Sequence, residues 1–74
     1  MSAVTLKRID KGNNVCRFYL IAVQPDLFGH WNLLREWGRI GQAGQVRIVS
    51  YPTQEEAEAA FRHHRLRKER RGYR

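Results

Sequence analysis

The chain is interrupted at four places by residues that regular strands and helices do not tolerate, and every segment between them is short. Three breaks are runs: Asp10-Lys11-Gly12-Asn13-Asn14, Pro25-Asp26-Leu27-Phe28-Gly29 and Gly41-Gln42-Ala43-Gly44. The fourth is Pro52 alone, which has no N–H to give a ladder. Ahead of Pro52 lie four segments of strand length: Val4 to Ile9, Val15 to Gln24, His30 to Ile40 and Gln45 to Tyr51. The first alternates loosely and suits an edge strand, with Lys7 and Arg8 discouraging stray pairing. The second is apolar on both faces from Phe18 onward, as in a central strand covered on both sides along part of its length. In the fourth, Val46 and Ile48 share one face, and Arg47, Val49 and Tyr51 the other.

Only after Pro52 does the period change. Thr53-Gln54-Glu55-Glu56 is a capping box, and Glu55, Glu56 and Glu58 lie at the positive end of a helix dipole. Ala57, Ala60, Phe61 and His64 follow at helical spacing as a narrow inward stripe. Gly72 is the stop, and Tyr73 can fold back onto the sheet. The expected architecture is α+β: a small twisted antiparallel sheet of about four strands with one C-terminal helix packed on it. Residues 1–74 make one domain, near the lower size limit for independent folding.

Within the third segment, Arg35-Glu36-Trp37-Gly38-Arg39 sets an indole between two guanidinium groups on one strand face. Such a ring can stack on a base or sugar while the arginines meet phosphate. Gly38 points the other way and lets backbone or ligand approach closely. Alternation alone does not say which face the helix covers, so Trp37 fits a core as well as a surface. Arg17, Arg35, Arg47 and Arg39 would form a basic track beside Trp37 if the strand registers aligned them.

Trp37-Gly38-Arg39 followed by Ile40-Gly41 resembles the signature of the WGR domain family. The likeness extends to Phe18-Tyr19, Trp31, the Gly41 to Gly44 turn, the Ala57 to Phe61 spacing and the Lys68 to Tyr73 segment. The resemblance implies a small antiparallel sheet carrying one helix. It also implies a role at DNA breaks. In DNA-damage-dependent poly(ADP-ribose) polymerases the tryptophan of this motif packs against the sugar of a terminal nucleotide, and the arginine touches neighbouring domains. Carried over, Trp37 becomes the nucleotide-end contact; Arg39 is less readily placed, because residues 1–74 hold no second domain for it to touch. The ADP-ribosylation chemistry of those proteins belongs to a separate catalytic domain and does not transfer.

Charge points the same way. Fourteen Lys and Arg against seven Asp and Glu give a formal charge of +7, which attracts polyanions. Seven of the basic residues crowd positions 62–74, and Lys68, Arg70 and Arg71 are candidates for phosphate contacts without sequence choice. The expected partner is nucleic acid, DNA rather than RNA, at ends or nicks, with no sequence reading. The nucleic-acid-binding set is then Trp37, Gly38, Arg39, Arg35, Arg47, Arg17, Lys68, Arg70 and Arg71. The rival reading is a protein-interaction adaptor anchored by Trp31 and Trp37.

Other classes find little support. No Ser-His-Asp set, paired carboxylates or phosphate-cradling glycine loop suggests an enzyme or a small-molecule substrate. Cys16, His30, His63 and His64 lack metal-ligand spacing, so no metal or cofactor is expected. Cys16 reads instead as a small buried hydrophobe, and His64 as a ring packed near tyrosine or backbone. A lone cysteine, no apolar run of membrane length and charges at Lys7, Arg8, Asp10 and Lys11 lead to a cytoplasmic expectation, nucleoid-associated in a bacterium.

Overall fold

The computed structural model describes residues 2–74. Strand β1 (Ala3–Asp10) leads through a 3-10 turn at Lys11–Asn13 to β2 (Val15–Pro25), β3 (Trp31–Arg39), β4 (Gln45–Tyr51) and the helix α1 (Gln54–Arg70). The strands pair antiparallel in sequence order, β1-β2-β3-β4. The expected α+β sheet with one helix is the observed fold.

Each break does the work its residues suggest. Asp10 accepts from the Gly12 N–H (3.2 Å) and from Asn13 Nδ2 (2.8 Å), closing the first turn, and Asn14 takes the left-handed conformation at φ 54°. Asp26 Oδ1 accepts from the N–H groups of Phe28 (2.7 Å) and His30 (2.9 Å), while Gly29 supplies the positive φ of 85°. These backbone bonds, with His30's first, hold the Asp26 carboxyl below the usual carboxylate range.

Residues opposite one another in antiparallel strands share a face. Tyr19 faces Trp37, which faces Gln45; Val23 faces Leu33, which faces Val49; Pro25 faces Trp31, which faces Tyr51. The helix covers this face, and the core comprises Leu6, Tyr19, Ile21, Val23, Leu33, Ala57, Phe61 and Tyr73. Thr53 Oγ1 accepts from the Glu56 N–H at 3.2 Å, which forms the hydroxyl half of the expected cap. Ala57, without bulk, lets the helix lie close while Phe61 fills the gap, and both are buried. At the other end Arg71, Gly72 and Tyr73 donate N–H groups back to the carbonyls of Lys68 and Glu69, with Gly72 at φ 94°. Tyr73 then drops onto Tyr19, ring centroids 6.3 Å apart. Arg74 goes further and exchanges both backbone hydrogen bonds with Lys7 at 2.8 Å, closing part of the outer edge of β1.

The second sheet face corrects the expectation drawn from β2. No described helix or strand covers it, although Phe18, Leu20 and Ala22 lie there. Ala22 is nonetheless buried, and the β3–β4 loop lies against Phe18. A β-carbon added to Gly44 would lie 2.8 Å from Phe18 Cζ and 2.5 Å from the Trp37 carbonyl oxygen. One added to Gly38 would lie 3.0 Å from Gly44 Cα. The glycine after Trp37 therefore serves loop packing, which the backbone half of the sequence reading anticipated. Cys16 is half-exposed on this open face rather than buried.

Gly44→Ala should consequently destabilise the domain by about 1–3 kcal/mol, the usual cost of overpacking. Urea denaturation would show the midpoint falling, and an unchanged midpoint would contradict the close packing at Phe18.

Candidate nucleic-acid interface

The inward face of α1 changes character halfway along. Ala57, Ala60 and Phe61 hold its first turns to the sheet, and the same stripe continues as His64, Arg67, Lys68 and Arg71. These positions stand at i, i+3, i+4 and i+7, one side of a helix. Charged heads are rarely buried unpaired, so the stripe stops being core where it becomes cationic. Between it and β3 lies a cleft of about 210 Å³ lined by Tyr19, Arg35, Trp37, His64, Arg67, Lys68 and Arg71. None of those side chains is acidic.

Register builds the sheet wall. Arg17 faces Arg39, Tyr19 faces Trp37, and Ile21 faces Arg35, which in turn faces Arg47. Rows two residues apart on a strand are separated by about 7 Å. The aromatic row thus has a guanidinium row on either side along the strands. Trp37 is half-buried: its ring lies 6.4 Å from that of Tyr19 at 29°, and the Arg35 guanidinium sits 5.7 Å from its centroid. Lys68 Nζ is 4.7 Å from the Tyr19 ring and 5.1 Å from Tyr73. Cations over ring faces are attracted by the ring quadrupole, which positions this ammonium.

Two buried polar atoms on this wall have no hydrogen-bond partner among the described residues: the Tyr19 hydroxyl and Arg35 Nε. Another nitrogen of Arg35, Nη1, stands 3.5 Å from His64 Nδ1, at the outer limit of a hydrogen bond. Burial, then the charges of Arg35, His63, Arg67 and Lys68, holds His64 below the usual histidine value of 6.5. Lys68 is likewise lowered, by burial first and then by Arg71, Arg67, Arg35 and Arg17. All these groups would be relieved by an anion among them.

The site residues expected from sequence divide as follows. Trp37, Arg35, Lys68 and Arg71 meet in the cleft. Arg17 and Arg47 are exposed on the same sheet face beyond it, as the basic-track expectation required. Arg39 is exposed and reaches Asn14, at 3.3 Å to its side-chain oxygen and 3.5 Å to its carbonyl. Gly38 lies on the opposite face from the cleft, and Arg70 is exposed outside it. Tyr19, His64 and Arg67 are cleft residues that the sequence reading left out of its site. His64, expected near tyrosine or backbone, shares the cleft with Tyr19 and also lies beside Arg35. The continuing helical stripe was a legible signal for His64 and Arg67; Tyr19 needed the strand register.

The lowered His64 value fixes a sign. In the folded state the imidazole resists protonation, so the unfolded chain binds the extra proton first as pH falls below about 6.5. This contribution to stability is present above that pH and is lost as pH drops through the folded-state value. His64→Gln should flatten the decline in thermal midpoint between neutral and mildly acidic pH. NMR titration of the native protein should place the His64 imidazole below 6.5, and a value at or above it would remove the electrostatic picture of the cleft.

The family model described as WGR domain matches residues 2–74. A protein of Sinorhizobium fredii (strain NBRC 101917 / NGR234), the uncharacterized protein y4dW, is 39% identical over 69 residues, which cover 93% of this chain and 34% of the relative. The chain thus spans about a third of the relative's length. With the fold, the Trp37-Gly38-Arg39 strand and a match over the whole described region in agreement, the chain belongs to the WGR domain family.

Proposed function

We propose that this domain binds nucleic acid without reading its sequence, that DNA is preferred over RNA, and that ends or nicks are its favoured sites. One observation carries the reading: a partly exposed indole forms part of a cleft whose charged side chains are all cationic. A volume near 210 Å³ suits a single sugar or base rather than a drug-sized cofactor. An internal nucleotide, stacked on both sides, offers no such unit, whereas a terminal one does. Trp37 would meet the terminal sugar or base. Arg35, Arg67, Lys68 and Arg71 would neutralise the adjoining phosphates, the Tyr19 hydroxyl would donate to an oxygen, and Arg17, Arg39, Arg47 and Arg70 would extend the cationic surface. Gly38 contributes only through the loop it admits.

The reading is one of binding rather than catalysis: the cleft offers an indole and several cations, groups suited to holding an anion in place. No described helix is long and apolar enough to cross a membrane. In a bacterial cell, DNA binding of this kind would place the protein with the nucleoid. The adaptor reading has weaker support, because Trp31 and Trp37 both pack partly against the core and neither stands free as an anchor.

Binding of linear and covalently closed DNA across a salt series tests the proposal. The logarithm of affinity should fall steeply with that of salt, by about 0.9 per phosphate neutralised, and linear DNA should bind tighter. Trp37→Ala should weaken end binding by about tenfold or more, as expected for one lost stacking contact, with Trp37→Phe retaining much of it. Arg71→Ala should lower the salt slope by about one. Equal affinity for linear and closed DNA would end the case for termini, and salt-independent binding would end the case for nucleic acid.

A further inference from the structure

The charges of the chain are segregated between its two ends. Residues 2–6, 18–34 and 48–61 contain no Lys or Arg and hold Asp26, Glu55, Glu56 and Glu58, a formal −4. The remaining stretches hold all fourteen basic residues and three acids, a formal +11, which together make the +7 of the chain. Pairing of Ala3 with Ala22, Pro25 with Trp31 and Trp31 with Tyr51 gathers the acidic stretches at one end of the strands. The helix starts there and runs back toward the cleft, in a molecule 45 Å long.

At the tip of the acidic end stand Leu27 and Phe28, 97% and 85% exposed, the most exposed large apolar residues of the described chain. Their loop is fixed by the Asp26 carboxylate and by the Asp26 N–H donating to the His30 carbonyl at 2.9 Å. A rigid apolar knob loses little conformational freedom on docking. Asp26, partly exposed beside His30, and the glutamates at the start of the helix make this end repel phosphates and anionic lipid headgroups alike, which leaves a cationic, aromatic receptor as its complement. The chain carries such a receptor at its far end: the cleft, with its indole, its unpartnered Tyr19 hydroxyl and Arg35 Nε, and no carboxylate of its own. Because the two ends are apart in one molecule, the match is between molecules.

We infer that the domain self-associates head to tail, with Phe28 and Leu27 of one copy seated against Trp37 of the next and Asp26 among its Arg67, Lys68 and Arg71. Such a contact is heterologous, so each copy keeps a free knob or a free cleft and the assembly grows rather than closing as a pair. The cleft is the one assigned above to nucleic acid, but the self-contact does not depend on that assignment.

Sedimentation velocity of the native chain from micromolar to millimolar concentration tests it. At low salt the mean mass should climb from the 8.8 kDa monomer past that of a dimer, and high salt should reverse the rise. Leu27→Ser/Phe28→Ser should stay monomeric, with native circular dichroism since both side chains are exposed. Arg67→Glu/Arg71→Glu should also stay monomeric, and mixing the two variants should yield a dimer and nothing larger, since only one intact knob–cleft pair remains. A native chain that is monomeric throughout, one that stops at a dimer, a knob variant that still assembles, or a mixture that does not pair would each overturn the inference. The knob variant should bind oligonucleotide with native affinity where both are monomeric, so that a failure of nucleic-acid binding is read separately.

Discussion

One helix face, apolar for half its length and cationic for the rest, determines the shape of this domain. Ala57 and Phe61 hold the helix to Leu33, Ile21 and Val23, and each large side chain buried there contributes about 1.5–3 kcal/mol. From the next turn onward the same face presents His64, Arg67, Lys68 and Arg71 to a strand that itself offers Arg35. Closing that end would desolvate several like charges together, at a cost far above what further apolar contact returns. The helix is therefore held at its start and kept from closing at its end. The cleft is what that imbalance leaves, and Trp37 lies in it.

The glycines beside Trp37 act from behind. With Gly38 and Gly44 the β3–β4 loop folds flat over Phe18 on the far face of the sheet. The backbone under the indole is thus pinned from the side away from the cleft, while Tyr19 supports the ring on its own side. Arg39, the third residue of the motif, reaches across to the left-handed Asn14 and so ties β3 to the turn that starts β2. Its two bonds are long and exposed, so the tie leaves the guanidinium accessible.

Local chemistry made much of this legible in sequence. Every strand and the helix follow from turn residues, alternation and a capping threonine, which act over a few neighbours. Register is set by pairing across the sheet, so the stacking of Tyr19 on Trp37 and the facing of Arg17 by Arg39 lie beyond what strands taken singly can tell. The apolar run of β2 misled for a related reason. A glycine-rich loop shields Phe18 as a second layer would, and sequence does not distinguish those sources of cover. The helix pattern was readable to Phe61 and His64. Its cationic continuation was harder to see as part of the same stripe, because charge on a helix usually marks the solvent side.

Tyr73 and Arg74 join features that look separate. Tyr73 is one of the two rings holding the Lys68 ammonium, and Arg74 is hydrogen-bonded along the rim of β1. The rim and the pocket wall thus share two adjacent residues. Disturbing that pair would uncover a sheet border and loosen the seat of a lysine together, so the edge and the cleft answer to one strain.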